Sequence, residues 1–210
     1  MAQHITGDMF DLLDIWKESG TPRFTKFAFT ANSIITPAIP PRLVMGGGIA
    51  KEVKLAFPNI DARIAQELLA RGYKSGDDFH WLPNKPNGLV AVLQTKRSYA
   101  DPSPLPLVRE SLRALYKWMQ ANGEYTVHLN YPAIGLGGLS KSDIQPMLNH
   151  FDDRLVVWEL ETTCTTYNVV LGCRCTHTIC VKQLPQVMFC SKCGSIDEPI
   201  TQSQRLDIAI

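Results

Sequence analysis

The first 163 residues contain no cysteine, so no disulfide framework holds the bulk of this chain together. No apolar run approaches the ~18 residues of a membrane-spanning helix, and Met1-Ala2-Gln3-His4 opens the chain without a charged and then apolar leader. The expectation is a soluble, cytoplasmic protein. Charge of one sign is also missing: 21 Lys and Arg against 20 Asp and Glu leave a net charge of +1. No global field steers this molecule onto nucleic acid, so such binding would have to come from local patches. Internal repeats and low-complexity segments are absent. With 210 residues, 45% of them hydrophobic, the chain suffices for one buried domain and a small appendage.

What is present begins at Val44-Met45-Gly46-Gly47-Gly48-Ile49-Ala50, where three glycines run into an amphipathic helix. Glycine lets a backbone approach a ligand that side chains would block, and a helix start aims unpaired N–H groups and partial positive charge at an anion. A diphosphate or a phosphorylated sugar is the natural occupant. A second glycine loop, Pro132-Ala133-Ile134-Gly135-Leu136-Gly137-Gly138-Leu139, follows the apolar run at 125–131. Two such loops can clamp one ligand from opposite sides. Neither closes with the Gly-Lys-Ser/Thr of nucleotide hydrolases, and neither is a Gly-x-Gly-x-x-Gly after a first strand.

β-prone runs at 24–30, 89–93, 126–131 and 155–160 alternate with helical spacing at 49–57, 60–71, 104–121 and 142–151. This predicts an α/β protein with a mixed or mostly parallel sheet covered on both faces and a binding crevice at the strand ends. Ser103 and Pro104 read as the cap and first turn of the clearest helix. The segment 35–43, with Pro37, Pro40 and Pro41, has neither period and reads as a loop over the crevice, able to act as a lid. A polar run at 161–166 suggests a domain boundary.

With these loops in place, the chain resembles a macro domain, the fold that binds ADP-ribose. Four stretches carry the resemblance: Ile5-Thr6-Gly7-Asp8-Met9-Phe10, Phe29-Thr30-Ala31-Asn32, and the two glycine loops. Leu93-Gln94-Thr95-Lys96-Arg97 points to the branch of terminal ADP-ribose glycohydrolases and DNA ADP-ribosylation antitoxins, which carries a Thr-Lys pair at a strand end. The resemblance implies a three-layer α/β/α macro domain over 1–162. It also implies a ligand-binding set of Asp8, Met9, Asn32, Met45, Gly46, Gly47, Gly48, Ile49, Ala50 and Thr95, with Ile134, Gly135, Leu136, Gly137, Gly138 and Leu139 from the second loop. Asp8 would accept from the adenine amino group, although a turn or cap role is open to it. Asn32 would hold a hydroxyl of the distal ribose, the sugar at the reacting end; a strand-end turn is its other reading.

Lys96 and Asn32 are the catalytic candidates. A lysine in a partly dry cleft can present a neutral amine, which attacks the anomeric carbon of the distal ribose or condenses with its opened aldehyde. In the resembling glycohydrolases this lysine works with an aspartate of the second glycine loop. Here that position holds Ser140 or Leu139, depending on the alignment. Asp143 is near, but Ser140-Lys141-Ser142-Asp143 matches a capping box, which is its favoured role.

All six cysteines, Cys164, Cys173, Cys175, Cys180, Cys190 and Cys193, fall in the C-terminal segment. Cys190-Ser191-Lys192-Cys193-Gly194 is a knuckle whose spacing converges two thiolates on one tetrahedral ion. Its partner half lies within 173–180, and the segment 167–197 resembles a zinc ribbon, followed by a tail at 198–210. Cys173, Cys175, Cys190 and Cys193 are the expected ligands of a structural zinc ion, with His177 or Cys180 as substitutes. Four cations against four anions from residue 161 onward favour a protein partner or an architectural role over phosphate binding.

The expected function is therefore binding of ADP-ribose and its removal from a modified protein or nucleic acid. Two alternatives stay open: a catalytically silent reader or sequestering protein for ADP-ribose or a related nucleotide signal, and a phosphatase acting on ADP-ribose 1″-phosphate.

Overall fold

A computed structural model describes residues 1–83 and 89–160 and five strands between 165 and 201. The chain divides into two compact units, Met1–Leu160 and Glu161–Ile210. In the first unit the order is β1 (Gln3–Thr6), α1 (Asp11–Ser19), β2 (Thr25–Ala31), β3 (Ile35–Thr36), β4 (Arg42–Leu43), α2 (Gly48–Ala56), α3 (Ile60–Ala70) and β5 (Trp81–Leu82). There follow β6 (Val90–Gln94), α4 (Leu105–Ala121), β7 (Thr126–Asn130), α5 (Lys141–Leu148) and β8 (Leu155–Glu159).

Six strands form one sheet in the order β1-β8-β7-β2-β6-β5; all pairs are parallel except the edge pair of β5 and β6. Period-two alternation distributes β2 and β6 between two cores. Ala28, Ala91, Leu93, Val127, Leu129, Leu155 and Val157 join the cluster that includes the inner face of α4, Val108, Leu112, Leu115 and Met119. Phe27, Phe29, Val90 and Val92 join the opposite cluster with Val53, Ile64 and Leu68 from α2 and α3. The result is a three-layer α/β/α unit with a mixed sheet. Among the described residues, no helix is long and apolar enough to cross a membrane.

The segment 35–43, expected as an aperiodic loop, is instead a hairpin, with Ile35 opposite Leu43 and Thr36 opposite Arg42. Two-residue strands are too short to show a period, and the prolines are confined to the connecting tip. Ser103 is not the cap of α4 either. Pro104 takes that position, while Ser103 is drawn under the second glycine loop by its N–H, which donates to the Gly137 carbonyl at 2.8 Å. Helix α5 starts with the expected capping box: the Asp143 N–H donates to Ser140 Oγ, and the Ser140 N–H donates to Asp143 Oδ2.

His128 of β7 lies against the rings of Trp16 and Trp158, and its Nδ1 accepts from Trp158 Nε1 at 3.1 Å. Burial pushes its pKa down to about 4, so the folded protein holds the ring neutral. The unfolded chain takes up this proton near pH 6.5, which places the linked loss of stability between pH 6.5 and 4. We expect the urea midpoint to fall across that window by an amount equivalent to about 2 kcal/mol, allowing for the partial exposure of the ring. His128→Gln should flatten the dependence; an equally steep fall in the variant would remove His128 as its source.

The second unit has β9 (Thr165–Val170) paired antiparallel with β10 (Thr176–Val181) and with β13 (Ile200–Thr201), and a separate antiparallel pair, β11 (Met188–Phe189) and β12 (Ile196–Asp197). The expected ligands Cys173, Cys175, Cys190 and Cys193 lie outside the described residues, as does Cys164. His177 and Cys180 fall within β10.

Candidate functional site

Five parallel strands end on one edge of the sheet, and the singled-out residues follow those ends directly. Asp8 follows β1, Asn32 follows β2, Thr95 and Lys96 follow β6, and the second glycine loop follows β7. This is the edge at which open α/β sheets hold ligands.

Asn32 ties the first glycine loop to that edge. Its Nδ2 donates to the Val44 carbonyl at 2.9 Å, and its Oδ1 accepts from the Ile34 N–H at 2.8 Å. The turn reading of Asn32 is thus occupied, and one proton and one lone-pair site of the amide remain for a ligand. Gly48, the first residue of α2, sits at φ +54°, a conformation that favours glycine. No side chain caps this helix start and no acidic residue stands in its first turn. Its leading N–H groups therefore keep their pull on an anion.

Both flanks of the first loop converge on Asp61 of α3, which sequence reading did not single out. This fully buried carboxylate accepts from Arg42 of β4 at 2.9 Å and pairs with Lys54 of α2 at 2.9 Å. Burial pushes its pKa up, but the hydrogen bonds from Lys54, Arg42 and the Ala62 N–H outweigh that and hold it below the usual carboxylate value. β4 enters the loop and α2 leaves it, so one anion fixes the separation of the loop's two ends.

The second loop is a 3-10 turn over Gly135–Gly137, shaped by left-handed backbone at Ala133, Gly135 and Gly138. Gly137 is closely approached: a Cβ there would stand 2.8 Å from Ser103 Oγ and 3.3 Å from Ala133 Cβ, so a side chain would have to displace the Ser103 hydroxyl. Leu136 crosses toward the first loop. Its Cδ1 lies 3.5 and 3.4 Å from the points that Cβ atoms would occupy on Gly47 and Gly48. The two loops face each other, in contact through one exposed leucine.

Lys96 reaches the same place, its Nζ donating to the Leu136 carbonyl at 2.5 Å. Thr95 is buried, and its N–H donates to the Ala31 carbonyl at 2.9 Å, which brings the ends of β2 and β6 together. Asp8 is exposed and accepts from the Phe10 N–H at 2.9 Å, so its turn role is filled while the carboxylate retains further acceptor sites. Met9 is buried behind it, and Met45 is buried under the first loop.

The Lys96 turn is supported by Gln94 and Arg97, which sequence reasoning quotes beside Lys96 without a role, and by Asp78, which it misses, because nothing in their spacing marks these contacts. The carboxylate nearest in sequence to the second loop is committed: Asp143 is bound to the Ser140 hydroxyl at 2.6 Å and the Ser140 N–H at 2.9 Å, which hold it below its ordinary pKa. A separate groove of about 440 Å³ lies between α4 and α5, lined by Arg109, Arg113, Tyr116 and His150 among others, and none of the glycine-loop residues line it.

No protein-family model matches this sequence, and no curated protein does. Solved structures do. The macrodomain of Thermus aquaticus DarG is similar, with a TM-score of 0.52 and 24% identity over 77% of this chain and 98% of that one. The macrodomain of Mycobacterium tuberculosis DarG has a TM-score of 0.51 and 20% identity, over 75% and 97% of the two chains. Thermosipho africanus DarTG in complex with ADP-ribose has a TM-score of 0.54 and 18% identity, over 75% of this chain and 41% of that one. Together with the sheet order and the paired glycine loops, these similarities identify the fold of the Met1–Leu160 unit as that of a macrodomain.

Proposed function

We propose that the Met1–Leu160 unit binds ADP-ribose and releases it from a modified protein or nucleic acid, with Lys96 as the reacting group. The observation that carries this reading is the meeting of two glycine loops over one sheet edge, with the Lys96 Nζ bonded to the carbonyl of Leu136, the residue through which they touch. Asp8, after β1, is three strand positions from Asn32 and four from Lys96. Strand spacing makes that ~14 to 19 Å, which suits an extended nucleoside diphosphate sugar and exceeds a free phosphate. The Thermosipho africanus neighbour was solved with ADP-ribose, in keeping with the same ligand class here.

In this reading the uncapped N–H groups of α2 and the second loop hold the diphosphate, Asp8 accepts from the adenine amino group, and Asn32 orients the distal ribose. The Lys96 amine, in its neutral form, leaves the Leu136 carbonyl and attacks the anomeric carbon; the bond to the modified macromolecule breaks, its departing atom takes up the proton the amine gives up, and water then adds to the anomeric carbon, freeing the sugar and returning a hydrogen to the lysine nitrogen. A second reading, a silent reader or sequestering protein, draws on a specific observation. Ser140 and Leu139 stand where the resembling glycohydrolases place an aspartate, and Asp143 is held in its capping box. Binding is common to both readings.

The test is thermal unfolding with ADP-ribose. The midpoint is expected to rise with ligand concentration, and the rise to shrink in Asp8→Ala. An unmoved midpoint at millimolar ADP-ribose would count against both readings.

For the C-terminal unit we propose a structural zinc site formed by Cys173, Cys175, Cys190 and Cys193, which contributes to protein contact more than to phosphate binding. In support, Cys173 and Cys175 lie in the link joining the paired strands β9 and β10, and Cys190 and Cys193 in the link joining β11 and β12. Purified protein should carry one zinc per chain and Cys190→Ser much less; equal zinc in the two would refute this assignment.

A further inference from the structure

We infer that Gln94 and the Asp78–Arg97 pair are positioning residues for Lys96, fixing the turn from which its side chain enters the cleft. This rests on the reading of Lys96 as the reacting group. Gln94, the last residue of β6, is fully buried and engaged at both ends. Its Oε1 accepts from the N–H groups of Phe79 at 2.8 Å and His80 at 3.0 Å. Its Nε2 donates to the carbonyls of Lys96 at 3.2 Å and Asp77 at 3.3 Å, with Asp78 Oδ1 at 3.4 Å. Partners of opposite kind at the two ends forbid an amide flip, so the Lys96 carbonyl is pinned to the 77–80 segment. That segment is itself constrained: His80 sits at φ +59°, a conformation uncommon for a residue with a side chain.

Arg97 holds the other side of Lys96. Its Nε and Nη2 fork onto the two oxygens of Asp78 at 2.9 and 2.6 Å, and its carbonyl accepts from the Ser33 N–H at 3.4 Å and hydroxyl at 3.3 Å. Ser33 follows Asn32, so the network ties the Lys96 turn to the residue assigned to the distal ribose. The Arg97 side chain is 55% exposed and that of Asp78 29%. An ion pair so exposed adds little to stability, so the fold does not depend on it. Its geometry matters more: a bidentate fork fixes direction as well as distance, and a reacting group displaced by ~1 Å can lose ~100-fold in rate.

Substitution of Gln94, itself fully buried, would strip five hydrogen-bond partners and endanger folding, so the ion pair gives the cleaner test. Full-length wild type, Arg97→Asp, Asp78→Arg and the exchanged Asp78→Arg/Arg97→Asp protein are compared in three ways. These are ADP-ribose affinity, single-turnover release of ADP-ribose from modified protein or DNA, and acetic anhydride labelling of Lys96 relative to the exposed Lys117 in ligand-free protein.

The expected result is release slowed roughly 10- to 100-fold in each single variant, with ADP-ribose affinity retained and substantial recovery in the exchange. Lys96 labelling should rise several-fold in the single variants and return toward wild type in the exchange. Labelling unchanged in the single variants, or not restored by the exchange, would overturn the inference. Absence of ADP-ribose binding and release in the wild type would instead defeat the functional reading, while the labelling would still decide whether the pair places Lys96.

Discussion

Lys96→Ala is expected to abolish measurable release of ADP-ribose from a modified macromolecule, a loss of ~100-fold or more, while leaving ADP-ribose binding intact. The Lys96 Nζ reaches the second glycine loop from the end of β6, and it does so through a carbonyl acceptor instead of a carboxylate. With no anionic partner to give up, the amine can leave Leu136 for the ligand at the cost of one hydrogen bond. Removing it also frees the second loop, so affinity for ADP-ribose should be unchanged or stronger. Single-turnover assays with radiolabelled ADP-ribose would check this, alongside a binding titration of the same variant. Equal release by Lys96→Ala and wild type would remove Lys96 from the mechanism and leave the silent-reader account standing.

Asp61→Ala should cost the Met1–Leu160 unit about 2–3 kcal/mol of stability and loosen the first glycine loop. Breaking a fully buried ion pair costs about 3–5 kcal/mol when the abandoned partner stays dry. Here the partners Arg42 and Lys54 are 38% and 45% exposed and regain water, which trims the figure. The unpaired Ala62 N–H adds a smaller penalty. Since Arg42 precedes the loop and Lys54 follows it, ADP-ribose affinity should fall together with stability. The carboxyl's pKa is lowered on folding, so its contribution is complete above the unfolded value of 3.8 and disappears as pH falls through the lower folded value. That acid transition lies below the one assigned to His128 and should be missing in Asp61→Ala. Urea unfolding of both proteins at neutral and acid pH would measure it. A midpoint within error of wild type would show that the loop does not rely on Asp61.

How much of this was legible in the sequence depended on whether a residue acts through local pattern or through distant contact. The central strands, helices α2 to α5 and the Ser140–Asp143 box were readable because periodicity and capping are properties of neighbouring residues. The hairpin of β3 and β4 reads as an aperiodic loop because strands of two residues carry no period. Ser103 reads as a cap because its burial under Gly137 arises from a loop more than thirty residues away. Asp61, Gln94 and the Asp78–Arg97 pair were invisible for the same reason, since a buried acid or amide declares its role only when its partners arrive from other elements. The glycines are legible from their own pattern and Lys96 and Asn32 through a resemblance, and the fold gathers them on one edge. Asn32 and Asp8 show that the bland and functional readings are compatible: each makes its turn contact and still offers hydrogen-bonding capacity.

The most direct test of the central claim is an ADP-ribose titration followed through the backbone amide resonances of Gly46, Gly47 and Gly48 and of Gly135, Gly137 and Gly138. The account predicts that both sets move together and saturate at the same ligand concentration, because one diphosphate is held from two sides. Movement of one set alone, or of neither at millimolar ADP-ribose, would contradict it.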